Sequence, residues 1–308
     1  MSAKIISASR RTDIPAFYTP WLINRIRASF CVYPNPFYPS KFYRVSLLPI
    51  DVLGFVFWSR HPAPLIPHLP ELNKLGYTYY FQYTIIGYPT AIDPRSPDTT
   101  TAIRTFQTLA TQTSPNHLTW RYDPIILNSI ISAAWHSDNF RRLADALAPH
   151  TRRLVISVID PYAKTKCRLG AADDGVIYEP EAYNDLLQHL AQEAHTRGIA
   201  VQSCAEATLN CPGVIPGRCV DGELLNQLAG RQAKPPRPHK QRTGCLCHES
   251  TDIGVNNTCV FGCAYCYATH RHDLARQTYA THNPAWSCLT EDITIDAPPP
   301  KPQQQTLF

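Results

Sequence analysis

Six short apolar runs, each followed by a stretch of helical spacing, set the limits on what this chain can fold into. The runs are Lys4 to Ser9, Leu53 to Trp58, Tyr79 to Ile86, His117 to Trp120, Leu154 to Ile159 and Ile199 to Gln202. Helices are expected at Tyr18–Ser29, Leu65–Leu75, Thr99–Thr111 with Asp98 as its cap, Ser137–Leu147, Glu181–Thr196 and Glu223–Ala229. Gly76 and Gly198 follow two of them as stops. Strands that alternate with helices in this way build βα units and a parallel sheet. The expected fold is therefore α/β, a parallel (βα) barrel or partial barrel of about six βα units ending in a cysteine-rich cluster loop. A doubly wound open sheet is the alternative. Residues 31–50, rich in Pro and aromatics, fit neither pattern.

Parallel strands all end on the same side, so the residues just past each strand should meet at one mouth. This gathers Arg10, Arg11, Asp13, Arg60, His61, Arg121, Asp123, Asp160 and Glu206. Arg10 and Arg11 could grip a carboxylate or phosphate through paired donors; the plainer role is a salt bridge to Asp13 or Glu206. Arg121 and Asp123 suit contact with a ribose or a substrate, although Asp123-Pro124 is also a turn opener. Glu206 could anchor an amino group or pair with an arginine. Cys204 could donate a hydrogen atom or simply fill a small space in the core. His61 reads as structural. Cys204, Glu206, Arg121 and Asp123 are the candidate catalytic residues; Arg10, Arg11, Asp13 and Tyr265 are the candidates for holding a cofactor.

At 308 residues the chain can bury a large core. The division expected is a barrel over 1–230, a basic Pro-rich linker or strap over 231–244, a cysteine-rich segment over 245–290 and a disordered tail over 291–308. No run of 18 apolar residues is present, so no membrane span is expected. The net charge of +5 permits a phosphate-bearing partner without requiring one. No secretory signal is recognised at Met1-Ser2-Ala3-Lys4, which points to a cytoplasmic setting where thiols stay reduced. There, clustered cysteines read as metal ligands. Of the 11 cysteines, five fall between positions 245 and 266.

Three of these five, Cys259, Cys263 and Cys266, lie in one short loop at a three-then-two spacing, with Tyr265 just before the third. Three thiolates can hold three corners of a cubane iron–sulfur cluster and leave one iron open to a non-protein ligand. A structural zinc site wants four ligands, and Cys245, Cys247, His248 and His270 are near enough in sequence to supply them. Cys245 and Cys247, one residue apart, suit a shared metal better than a strained disulfide. Cluster and zinc both stand on spacing alone. A redox-sensing or electron-transfer protein is a third class.

The loop Cys259, Cys263, Cys266, with Tyr265, resembles that of the radical S-adenosylmethionine enzymes. That resemblance implies a [4Fe-4S] cluster on a (βα) barrel, S-adenosylmethionine on the open iron, and an electron donor such as a ferredoxin or flavodoxin. Over nearly its whole length the chain is similar to the family called domain of unknown function 1848. The stretches that carry this are Ile5 to Ala16, Trp120 to Ile125 and Asp252 to Ala268. That family is described as having a radical-type cysteine cluster at its C-terminus, and the likeness leaves the substrate open, a small anionic or nucleotide-type molecule being one class. In radical enzymes the loop follows the first strand, whereas here it follows six βα units. A segment such as Asp252-Ile253-Gly254-Val255 lying beside the first strand would bring the loop to the same mouth.

Overall fold

All six runs are strands in the computed structural model, which describes residues 3–172, 175–204, 211–239 and 244–295. They are β1 (Lys4–Ala8), β4 (Val52–Ser59), β5 (Tyr79–Thr84), β6 (Leu118–Ile125), β7 (Arg153–Val158) and β8 (Ala200–Ser203). Between the first two lies a hairpin of β2 (Phe30–Pro34) and β3 (Phe42–Ser46), and two three-residue strands come later, β9 (Val214–Pro216) and β10 (Ser250–Asp252). Eight strands form one sheet in the order β10-β1-β4-β5-β6-β7-β8-β9, with every neighbouring pair parallel.

The βα units lie in sequence order across the sheet, without the reversal a doubly wound sheet requires. Among the described residues no ladder joins β9 to β10, so the sheet is open at these two edges. It curls nonetheless, since Ser9 after β1 and Cys204 after β8 line one cavity.

Period-two alternation divides the strand side chains between two environments. Ile6, Phe55, Phe57, Phe81, Trp120, Tyr122 and Ile156 point outward into the main core, which the helices cover. Ile5, Val56, Tyr80 and Val155 point inward and meet Leu224 and Leu225 of the helix Gly222–Leu228, together with Cys219, Cys245 and Cys247. Both faces are buried, so the strands read as continuous apolar runs. Gly54 faces Leu225 so closely that a Cβ would come within 2.5 Å of it.

The helix expectations hold at Thr19–Arg27, Thr99–Gln112, Ala133–Leu147, Asn184–His195 and Gly222–Leu228. Asp98 caps the second of these by accepting from the Thr101 amide at 2.9 Å. Leu65–Leu75 divides into a 3-10 turn, Ala63–His68, and a short helix, Leu69–Lys74. Ala163–Ala172 is a helix that periodicity did not indicate. The C-terminal helix is His272–Ala280. Residues before it are held in the cysteine loop, where Asn257 Oδ1 accepts from the amides of His270 at 2.6 Å and Arg271 at 3.3 Å.

The excursion at 31–50 is the β2–β3 hairpin, and the Val32 amide donates to the Ser287 carbonyl at 2.9 Å. The C-terminal segment therefore packs on this hairpin and on the helix Thr19–Arg27, where Trp21 Nε1 reaches the Trp286 carbonyl at 3.0 Å. The described chain continues to 295, with the Ile293 amide bonded to Ser287 Oγ at 2.8 Å. Residues 296–308, the rest of the expected tail, lie outside the described residues. The described part of the basic stretch, 231–239, is a strap: the His239 amide donates to the Cys247 carbonyl at 2.8 Å, and the Glu249 amide to the Arg237 carbonyl at 2.9 Å. Among the described residues no helix is long and apolar enough to cross a membrane.

One buried carboxylate joins β10 to β1. Asp252 accepts from Ser7 Oγ at 2.8 Å, Ser9 Oγ at 2.7 Å, the Arg10 amide at 2.9 Å and the Gly254 amide at 3.1 Å. Arg10 Nε lies 3.3 Å from it. Burial works to raise this carboxyl, but the charges of Arg10 and Arg11 and the hydrogen bonds outweigh it and hold the group below its ordinary range. A depressed carboxylate stabilises the fold above its unfolded pKa, near 4, and that contribution is lost as pH falls through the folded value. Asp252→Ala strands the Arg10 guanidinium and should cost about 3–5 kcal/mol in anaerobic urea denaturation at pH 7. The penalty should shrink as the pH is lowered below about 4.

Candidate functional site

At the C-terminal ends of the strands lies a cavity of about 470 Å³. Ser9 to Asp13 enter it from the end of β1, Trp58 to Arg60 from β4, Arg121 and Asp123 from β6, Ser157 to Asp160 from β7 and Cys204 from β8. The convergence expected at one mouth is thus present for Arg10, Arg11, Asp13, Arg60, Arg121, Asp123 and Asp160. His61 does not line the cavity: its backbone turns away after donating to Ser59 Oγ at 2.9 Å, and burial lowers its imidazole pKa. Glu206 lies outside the described residues.

Strand β10 aims the cysteine loop at this mouth. It runs parallel to β1 with Ser7 opposite Asp252, so the chain leaves both strands at the same end. The Ile253 amide extends the ladder to the Ser7 carbonyl at 3.1 Å. Gly254 then passes so near β1 that a Cβ there would lie 1.9 Å from Ser9 Oγ and 2.6 Å from Ser9 Cβ. Beyond it, Tyr18 Oη donates to the Thr258 carbonyl at 2.7 Å, and Tyr267 Oη to the Arg10 carbonyl at 2.7 Å. Phe17 packs on Phe261 with ring centroids 4.6 Å apart. Gly262, at φ +80°, takes a turn between the first two loop cysteines that favours glycine.

Cys259, Cys263 and Cys266 all line the cavity. The amides of Phe261 and Asp13 donate to the Cys259 sulfur, yet burial and the nearby Cys266 and Asp13 push its thiol up to about 12. Burial raises Cys263 well above the ordinary thiol range as well. Cys266 Sγ accepts from the Thr269 amide at 3.4 Å. Arg168, on the helix Ala163–Ala172, ties the loop down through the carbonyls of Cys266 and, at 3.0 Å, Thr269. Backbone donors of this kind stabilise thiolate character on the sulfurs they meet. Among the described residues, however, no three His, Cys, Asp or Glu side chains already stand as a group that could hold a metal ion. His248 and His270 are engaged elsewhere: His248 Nδ1 accepts from the Gly222 amide at 2.9 Å, and His270 Nε2 is 2.9 Å from Lys164 Nζ.

The other candidates have specific partners. Asp13 caps the helix Ile14–Phe17 and accepts from Ala16 N at 3.0 Å, Ser59 Oγ at 2.7 Å and Arg60 N at 2.7 Å. Burial nonetheless raises its carboxyl to about 6. Arg10 pairs with Asp252, neither of its expected partners, and Arg11 Nη1 donates to the Gly254 carbonyl at 3.3 Å. Tyr265 Oη bonds both Asp93 oxygens at 2.9 Å and also meets the Arg60 guanidinium, which pairs with Asp93. Asp93, which no motif singled out, therefore anchors the residue before the third cysteine. Arg121 pairs with Asp123, lies 5.1 Å over the Trp58 ring and donates to Cys219 Sγ at 3.1 Å. Ser157 Oγ completes the set by donating to Asp123. Cys204 stands 3.2 Å from Cys219.

Fold and site together define an α/β protein with a parallel sheet whose strand ends enclose an arginine- and cysteine-lined cavity. The chain belongs to the family domain of unknown function 1848, whose model matches residues 5–268 and so spans the sheet and the whole cysteine loop. No curated protein matches it in sequence. Among solved structures, it is similar to one from Bacteroides thetaiotaomicron provisionally assigned as an alpha-L-fucosidase. The match has 11% identity over 76% of this chain and 84% of the other, with a TM-score of 0.28, a level that carries no argument for fold or function.

Because Gly254 leaves no room for a Cβ, Gly254→Ala should push β10 from β1 and loosen the loop beyond it. The expected result is faster alkylation of Cys259, Cys263 and Cys266 in the native protein, read by peptide mass spectrometry, with Cys31 unchanged as the buried control.

Proposed function

We propose that Cys259, Cys263 and Cys266 bind a [4Fe-4S] cluster with one iron turned into the cavity, and that the protein is an enzyme of the radical S-adenosylmethionine type. The observation that carries this reading is that all three thiols, delivered by one loop, line the same cavity as the polar strand ends. A cubane keeps its thiolate ligands farther apart than a single ion does, so such a site is not expected to appear as a compact ion-binding group. When bound, the cluster and S-adenosylmethionine would supply one-electron cleavage of the sulfonium and, through it, hydrogen-atom abstraction from a substrate.

The chain's own residues would do the placing. Tyr265, held by Asp93 and Arg60, fixes the turn between Cys263 and Cys266. The Phe261, Asp13 and Thr269 amides donate to loop sulfurs and stabilise thiolate character there. Phe261 and Tyr267 wall the loop side of the cavity. Of the cavity arginines, Arg10, Arg60 and Arg121 each make a salt bridge with a carboxylate, whereas Arg11 hydrogen-bonds a carbonyl and meets the charge of Asp252 without a salt bridge. Arg11 is thus the residue we assign to an anionic substrate or to the cofactor carboxylate.

Anaerobic reconstitution tests the reading. About four irons and four sulfides bound through this loop, with an EPR signal shifted by S-adenosylmethionine, are expected. Cys263→Ala should abolish that signal and Cys288→Ala, beside Val32 in another part of the fold, should leave it. Equal loss from both, or a colourless protein holding only zinc, would overturn the assignment. Arg11→Leu should keep the cluster signal while weakening S-adenosylmethionine binding by roughly tenfold or more, as loss of a charged hydrogen bond of about 1.5–3 kcal/mol predicts.

A further inference from the structure

Four cysteines outside the loop have no part in that proposal, yet they come together from three separate segments. Cys204 follows β8, Cys219 precedes the helix Gly222–Leu228, and Cys245 and Cys247 precede β10. Cys219 Sγ lies 3.2 Å from Cys204 Sγ, and Cys247 lies near both Cys219 and Cys245. All four line the floor of the cavity. Three of them are nearly fully buried, at 3% to 6% exposure, among Ile5, Val56, Val155 and Leu225.

Each cysteine alone would pass for a small core residue. Together they do not. Arg121 Nη1 donates to Cys219 Sγ at 3.1 Å, and the Val220 amide approaches Cys247 Sγ at 3.4 Å. Donors aimed at sulfur, one of them a buried guanidinium, suit thiolates better than neutral thiols. The loop carrying Cys219 is itself fixed: its carbonyl accepts from Tyr80 Oη at 2.7 Å and Gln82 Nε2 at 2.8 Å. A disulfide is not formed, since 3.2 Å is well beyond the bond length of about 2.05 Å.

We infer that Cys204, Cys219, Cys245 and Cys247 form a second metal site, a closed shell of four thiolates for a thiophilic centre. As placed, the Cys219 thiol donates to Cys204 Sγ, a contact between protonated thiols. Metal entry releases the four protons to solvent and draws the sulfurs into a tetrahedron. For a single zinc ion the sulfur–sulfur edge would be about 3.8 Å, close to the Cys204–Cys219 spacing. A second iron–sulfur cluster has the same ligand chemistry with a wider edge. The site is independent of the cluster assigned to the loop. Its effect on the fold is to tie the end of β8, the inner helix and the start of β10 to one point beneath the cavity.

The test uses the full-length chain with the loop ligands removed, Cys259→Ala, Cys263→Ala and Cys266→Ala together, purified anaerobically. Elemental analysis should still find a bound centre: either about one zinc, or iron with sulfide at about half the wild-type content, and each supports the site. Adding Cys219→Ser and Cys247→Ser should remove it. If those extra changes prevent folding, cobalt(II) titration of the stripped triple variant serves in their place. Intense thiolate-to-cobalt bands saturating at about one equivalent, displaced by zinc, support four-sulfur tetrahedral ligation. A folded triple variant that holds no metal and takes up no cobalt would overturn the inference, whatever the wild-type loop binds.

Discussion

The Asp252 carboxylate is the interaction on which the geometry of the mouth depends. It is buried and accepts from two serine hydroxyls, two amides and a guanidinium, all from β1, its exit or the residue after Ile253. Hydrogen bonds to a charged group contribute roughly 1.5–3 kcal/mol each, enough together to offset the cost of burying the charge. A three-residue strand has little ladder of its own to hold it. Side-chain bonds from Ser7 and Ser9 fix the register that backbone pairing alone would leave weak. With the register fixed, Gly254 can pass against Ser9, and the loop beyond it has only one direction to take. The position of three thiols at the mouth thus depends on one acidic residue well upstream of them.

Charge at the mouth is matched almost arginine by arginine. Arg10 lies with Asp252, Arg60 with Asp93 and Arg121 with Asp123. A buried pair is costly to break and adds little net stability compared with apolar packing, so its main effect is to hold geometry. Arg60 and Asp93 hold Tyr265, and through it the backbone between two loop cysteines. Arg121 stacks on Trp58 and reaches Cys219, which links the outer site to the thiols on the cavity floor. The strand ends therefore act first as supports for sulfur and only secondarily as receptors for a ligand.

How far the sequence could be read depends on the length of each pattern. The six apolar runs were legible because both faces of the sheet are buried, so apolar residues dominate each strand. Parallel pairing came from the same rhythm and the convergence at the mouth from parallel topology, whereas strand order did not, since the rhythm also allows a doubly wound sheet. Strands β9 and β10, at three residues each, are too short for any period. The hairpin was hidden by proline and aromatic density, though Pro34 and Pro36 lie at or beyond the end of β2. Asp93 was invisible because its partners, Arg60 and Tyr265, are distant in sequence and no spacing rule connects them. The role of Arg10 was only half visible: a salt bridge is expected from the sequence, but Asp13 is taken up by the Ile14–Phe17 cap and the partner comes from β10 instead. Cys204 and Cys219 look ordinary one at a time, since nothing in the chain signals that the turn after β9 returns beneath β8.

The placement of the cysteine loop late in the chain is less unusual in space than in sequence. Across the sheet from its edge, β10 comes first and β1 second, and both run the same way. In a parallel sheet every strand ends at the same mouth, so a loop gains access by following any strand, early or late in the chain. What chain order does change is how the loop is secured. A loop between two strands of the sheet would be held at both ends by ladders. Here only its start is, and the far side depends on side-chain contacts: Arg168 to the Cys266 and Thr269 carbonyls, Asn257 to the His270 amide, and Tyr18 and Phe17 against Thr258 and Phe261. The basic helix Ala163–Ala172 and the short helix after β1 thereby do for this loop what a second flanking strand would otherwise have done.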